Sequence, residues 1–471
     1  MSTTLRARAE VVRLARLLGT EPAELDHLAD ALPPEAIREL RDRCVEVLFD
    51  AGSERLRGAA SAAALLPTPV AASLAQKAMG PVLCALLAGS VDRRRTVDIA
   101  DRLPPAFLAE VAIHLDPRRV PDVVAAMAPA RVAAVTEELT ARSEHVTMAQ
   151  FVDHLTPEAL DAALAVVDDD ALLRTAFLVD DPARIDRIVT ELPDERVVGL
   201  LAAARTSALW FEVLAVIDEL GPRAKGRLAD LAVDADRQVI EELAAYAQAE
   251  GLWASVLPLV GSISPDRRGR VAKLPTFHKA AVIDAIVLAA AESDRWADLL
   301  PLVAELPAKA QRRVAASVAR LDADLVQDAV AAATRAGLID DLALVLGAME
   351  EPDHDEVVGA AVRRTARDRT WADLLPLLAV LPPRTRRRVA EQAAALTDGD
   401  LVALVRSVDA AGLWEPWLEV IAELGHPTQE RLRGPMAKLS KRALRTLDHQ
   451  VDGLGLRGRL GPLHDLLDGD R

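Results

Sequence analysis

The sequence predicts an all-α protein built as a right-handed α-solenoid, and three observations lead there. Tryptophans recur every 43 residues in the second half, a Pro-punctuated beat of 12 residues runs through part of the first, and 51% of the 471 residues are hydrophobic although only 3% are aromatic. The apolar content is therefore mostly Ala, Leu and Val, and Ala and Leu are the strongest apolar helix formers. A chain of this length exceeds what one globular core serves, so several domains or an extended array are expected. Three regions follow: 1–92, 93–206 and 207–471.

Residues 1–92 form an N-terminal helical region. The opening "MSTTLRARAEVVRLARLLG" has no apolar core followed by a cleavage site, so no secretory signal is expected. From Gly58 to Gln76 the chain carries no charge for 19 residues, about a bilayer's worth. That stretch is Ala-rich and holds Pro67, Pro69 and several hydroxyls, so tightly packed helices with small side chains are expected and no transmembrane segment.

In 93–206 the beat is Leu103, Leu115, Met127 and Leu139, then Leu155, Val167, Val179 and Leu192. "LPP", "LDP", "MAP", "LTP", "VDDP" and "LPD" accompany most of them. Pro one or two places after an apolar residue suits a first helical turn, where its missing N–H is no loss. Asp and Glu favour the same end through the macrodipole. The reading is a series of helices about two turns long.

In 207–471 the markers are Trp210, Trp253, Trp296, Trp371 and Trp414, with Ile339 in the same register. "RWADLLPLVAELP" and "TWADLLPLLAVLP" are two of these repeats; the step from 339 to 371 is 11 residues short, near 350–370. Apolar residues follow three places on (Val213, Val256, Leu299, Leu342, Leu374, Trp417) and seven places on (Ile217, Val260, Val303, Leu346, Leu378, Ile421). Positions i, i+3 and i+7 share one helical face. A Pro-marked break, a second helix and a third complete a unit of armadillo or HEAT size, and about six such units are expected to bury their faces by stacking. A Trp in register with that face is expected to pack between repeats.

The segment "RLPPAFLAEVAIHLDPRRVPDVVAAMAPARVAAVTEEL" resembles the cytosolic N domain of the MgtE magnesium transporters, and less closely the middle domain of the flagellar motor-switch protein, over about residues 95–205. The resemblance implies a superhelix of short helices that docks against other domains. In MgtE transporters paired CBS domains and a membrane pore follow, neither recognisable here, and acidic residues help sense Mg²⁺.

No Gly-rich phosphate loop, H-E-x-x-H or G-x-S-x-G motif is present. The nine histidines are scattered, and Cys44 and Cys84 lack metal-ligand spacing. Two features invite a functional reading. "EEPDHDE" offers Glu350, Glu351, Asp353 and Asp355 to a hard cation such as Mg²⁺, or to a helix start. Seventeen residues after each Trp stand Arg227, Arg270, Arg313, Arg388 and Arg431, either a stripe for carboxylates or phosphates or a structural ladder. Residues 428–446 add six basic residues against one Glu, among them Lys438, Lys441 and Arg442, a place for an anionic partner.

The net charge of −16 speaks against coating nucleic acid or an anionic membrane and fits a cytoplasmic protein. The leading expectation is a non-catalytic scaffold that holds a protein or peptide on its concave surface, with no cofactor. The alternatives are a Mg²⁺-responsive regulator, a protein akin to the HEAT-like DNA glycosylases, and a binder of a small apolar ligand between the two solenoid halves.

Overall fold

Alternating apolar stripes of Ala, Leu and Val fold as helices throughout. In the computed structural model, which describes residues 2–47, 66–368, 371 and 381–468, every regular element is helical and there is no strand among the described residues. The chain divides into two compact units, Met1–Leu243 and Ala244–Arg471.

In the first unit, α1 (Ser2–Leu18), α2 (Pro22–Ala31) and α3 (34–47) close around Ala7, Val11, Leu14, Ala29 and Ile37. The uncharged stretch flagged above lies outside the described residues from 58 to 65. Its remainder leads into α4 (Thr68–Leu74), a π-helical turn (Ala75–Met79) and α5 (Gly80–Ala88). By length and composition Thr68–Ala88 could cross a membrane. It packs on α6 (Arg93–Ala100) and α7 (Pro105–Ile113), and Gly80 breaks its line with φ +75°.

The 12-residue beat marks helix starts. After α7 come α8 (Pro121–Ala125), α9 (Pro129–Ala141), α10 (His145–Val152), α11 (Pro157–Val166), α12 (Asp169–Ala176), α13 (Pro182–Glu191) and α14 (Asp194–Thr206). Leu103, Met127, Leu155, Val167 and Leu192 each stand two residues before such a start. Thr156, Asp168 and Asp181 cap theirs, accepting from the backbone N–H of Ala159, Ala171 and Ala183 at 3.3, 2.8 and 3.0 Å. Leu139 departs from the beat: it lies inside α9 and is buried in the core with Ala109, Met148 and Leu172. Then come α15 (Trp210–Glu219), α16 (Pro222–Ala235) and α17 (Arg237–Glu250).

The second unit shows the period directly. A Trp-led helix α18 (Trp253–Ser262), α19 (Pro265–Ala272) and α20 (Ala280–Glu292) make one repeat; α21 (Trp296–Glu305), α22 (Ala308–Ala319) and α23 (Ala323–Ala336) make the next. Helices touch partners two and three places along: α18 meets α20 and α21, and α21 meets α23 and α24 (Ile339–Gly347). Gly261 permits one such crossing, since a Cβ there would stand 2.7 Å from the Asp298 backbone. In the short repeat a single helix, α25 (Glu351–Asp368), replaces the two between Ala308 and Ala336, which accounts for the missing residues. Helices Pro383–Ala394, Asp398–Ala411, Trp414–Glu423, His426–Met436, Lys441–Gly453 and Gly461–Asp468 complete the chain. Leu374 and Leu378 lie outside the described residues.

Each indole is inside. Trp210, Trp253, Trp296, Trp371 and Trp414 are at most 5% exposed, as is Trp417. The third helices end in a left-handed residue two places before the next marker at Gly251, Asp294, Gly337 and Gly412, with Ala208 at the same register in the first unit, and Gly455 ends the last such helix in the same way. The residue after each donates its N–H five residues back, as in Leu252 to Ala247 (2.8 Å) and Leu338 to Ala333 (2.8 Å), so the helix carbonyls are satisfied.

Candidate functional site

The arginine ladder reaches backwards onto helix ends. Arg227, on α16, donates to the carbonyl oxygens of Val189 (2.7 Å) and Leu192 (2.6 Å) at the end of α13, and its Nε meets Asp194 of α14 at 2.9 Å. Arg431 repeats this in the second unit, with the Ala394 carbonyl (2.9 Å), the Leu396 carbonyl and Asp398 (2.9 Å). Arg313 donates to the His278 carbonyl at 2.9 Å. Arg388 lies 3.3 Å from Asp355 and bonds Glu391 at 2.7 Å. Arg270 is exposed on α19. A guanidinium offers a rigid fork of donors, so one side chain can cap the C-terminal carbonyls of one helix and hold the first-turn carboxylate of the next. Arg384, off the ladder, caps the Met349 carbonyl the same way at 2.7 Å.

The acidic segment opens α25. Glu351 and Asp353 sit in its first turn, where the helix dipole favours them, and Asp355 belongs to Arg388. His354 is buried, with Nε2 2.8 Å from Thr385 Oγ1, and burial holds its ring below the usual imidazole range. Glu350 is exposed just before the helix. Among the described residues no three His, Cys, Asp or Glu side chains gather as a metal ion requires.

Lys438, Lys441 and Arg442 are exposed around the start of helix Lys441–Gly453, whose N-terminus Ser440 caps by accepting from Ala443 N at 3.1 Å. Cations at that end add to the positive pole of the helix.

Sequence reasoning missed a buried ionic knot in the first unit. Glu10 and Arg13, 1% and 4% exposed, pair at 2.5 Å; Arg41 reaches Glu10 at 3.0 Å and Asp180 at 3.3 Å, and Arg13 also donates to the Leu178 and Val179 carbonyls. The one legible signal was a Glu and an Arg three apart on an otherwise apolar face of α1.

A groove opens beside the short repeat. It encloses about 780 Å³ between α22, α24 and Pro382, with Gln311, Arg312, Asp340, Leu344 and Glu350 on its walls. Leu344 is 48% exposed, one of two large apolar side chains in the second unit, among the described residues, that face solvent to that degree. Burial, and then the nearby Asp340, push the Asp341 carboxyl up. Gln311 on its wall donates to the Val303 and Ala304 carbonyls at 3.2 Å.

No family model fits the chain, and no curated protein matches it.

Proposed function

We propose that the protein is a non-catalytic α-solenoid scaffold of the cytoplasm that holds a protein or peptide partner in the groove beside its short repeat. The observation that carries this reading is the coincidence of three things at one place. The 43-residue period breaks there, one helix stands where the regular repeat has two, and the groove with the exposed Leu344 opens there. The succession of short helices in the first unit, and the repeat-to-repeat packing in the second, support the solenoid assignment. An apolar contact flanked by Asp340, Glu350 and Arg312 suits a segment with one apolar anchor and a basic neighbour.

A photo-crosslinking residue placed at Leu344 in the producing cell tests this. The reading expects one discrete adduct, lost when Asp340→Lys is added and missing when the crosslinker stands at Leu288, which is also exposed. Equal, diffuse labelling at both positions contradicts it.

A further inference from the structure

A second feature lies in the first unit and is independent of the groove. Helices α5 to α15 leave between them a partly open apolar cavity of about 220 Å³ walled by Leu108, Leu139, Met148, Phe151, Val167 and Leu172 among others. Among the described residues, those of its lining with hydroxyl groups are Thr96, Thr136 and Thr175, and no charged side chain lines it. A smaller cavity of about 120 Å³ lies beyond a shared wall of Ala100, Leu108 and Val111 and extends beneath α4 and α5. Leu74, 39% exposed, is among its lining residues. Together they offer more than twice the room of an engineered apolar cavity of about 150 Å³ that takes up benzene. An empty apolar space of this size weakens a fold, because its lining loses contacts on one side.

One threonine of the wall carries a buried hydroxyl without a partner. Thr175, one of the residues lining the larger cavity, is 5% exposed, and its fully buried Oγ1 makes no hydrogen bond. A buried unsatisfied hydroxyl is costly, and a threonine in a helix, here in the last turn of α12, can instead bond a carbonyl three or four residues back. Thr96, by contrast, donates to the Asp92 carbonyl at 3.1 Å.

We propose that this cavity binds one unbranched hydrocarbon chain of about ten carbons, bearing a neutral oxygen that the Thr175 hydroxyl meets. The head is neutral because nothing in the wall could compensate a buried carboxylate. A medium-chain alcohol, ketone or ester fits; an ionised fatty acid does not. Entry runs beneath α4, where the π-helical turn and the left-handed Gly80 interrupt the helix over the smaller cavity.

The test is titration of the full-length protein with decan-1-ol and with decanoate at pH 8, followed by displacement of a fluorescent naphthylamine and by thermal melting. Decan-1-ol is expected to bind one per chain and raise Tm, with decanoate at least ten times weaker. Thr175→Val should weaken decan-1-ol about tenfold, the worth of one hydrogen bond, while the ligand-free Tm stays the same or rises. Ala163→Phe should fill the space and abolish binding; if that variant does not fold, Thr175→Val decides alone. No binding of decan-1-ol, equal binding of decanoate, or affinity indifferent to Thr175→Val overturns the proposal.

Discussion

Gly337→Ala and Ala208→Gly form a matched pair of perturbations on the repeat's helix ends. Gly337 closes α23 at φ +70° and Ala208 closes α14 at φ +54°, and both are exposed. A Cβ on Gly337 would meet no atom within 4 Å, so the substitution changes backbone preference alone. Forcing an L-residue into the left-handed region costs roughly 1–2 kcal/mol. The narrower unfolded ensemble of Ala offsets roughly 0.4–1 kcal/mol of that. Gly337→Ala should therefore lose about 1 kcal/mol, and Ala208→Gly should gain about as much. For units of this size about 1 kcal/mol shifts Tm by roughly 2–4 °C. Guanidinium unfolding followed by far-ultraviolet dichroism and by Trp fluorescence reads both, with unchanged m-values if only stability moves. A neutral Gly337→Ala, or a destabilising Ala208→Gly, refutes the assignment of left-handed ends to this register.

The remaining predictions are these. Arg431→Ala leaves the Ala394 and Leu396 carbonyls and Asp398 without their donor and should cost about 1–3 kcal/mol in unfolding titrations, with Arg431→Lys rescuing little because an ammonium cannot span the three acceptors. Trp253→Ala, at a position 2% exposed, should cost about 3–5 kcal/mol, and Trp253→Phe clearly less. Burial, then Asp181 and Asp180, lift the Asp153 carboxyl to about 6. Because that folded value lies above the unfolded one of about 3.9, ionisation opposes folding and stability falls as pH rises through the interval between them. Asp153→Asn should therefore raise Tm at pH 7 and leave it unchanged about a unit or more below the unfolded value, where both states carry the proton.

The period was legible because the same packing problem is solved by the same residues each time. An indole at the head of a helix, apolar residues three and seven places on, and a left-handed end all survive translation by 43 positions. The short repeat was legible as a gap in spacing, but its content was not: that two helices merge into α25 depends on the absence of a breaker between Glu351 and Asp368, where Pro352 occupies a first-turn position. Leu139 misled the beat because an apolar residue at the right interval is equally a core position within a longer helix. The ladder's spacing was visible, whereas its carbonyl and carboxylate partners, 33 to 38 residues back, became visible only when neighbouring helices were in place. The groove, the ionic knot around Glu10 and the cavity around Thr175 arise between elements far apart in sequence, and no local pattern carries them.

Excision of one whole period, residues 296–338, so that Arg295 runs directly into Ile339, tests the repeat logic most directly. If each repeat packs only on its neighbours, α18 meets α24 as it met α21, and the shortened chain keeps its helical dichroism and a cooperative melt. Excision of 30 residues from the same place, which breaks the register, should unfold the second unit. Equal collapse of both variants, or equal tolerance of both, contradicts the account.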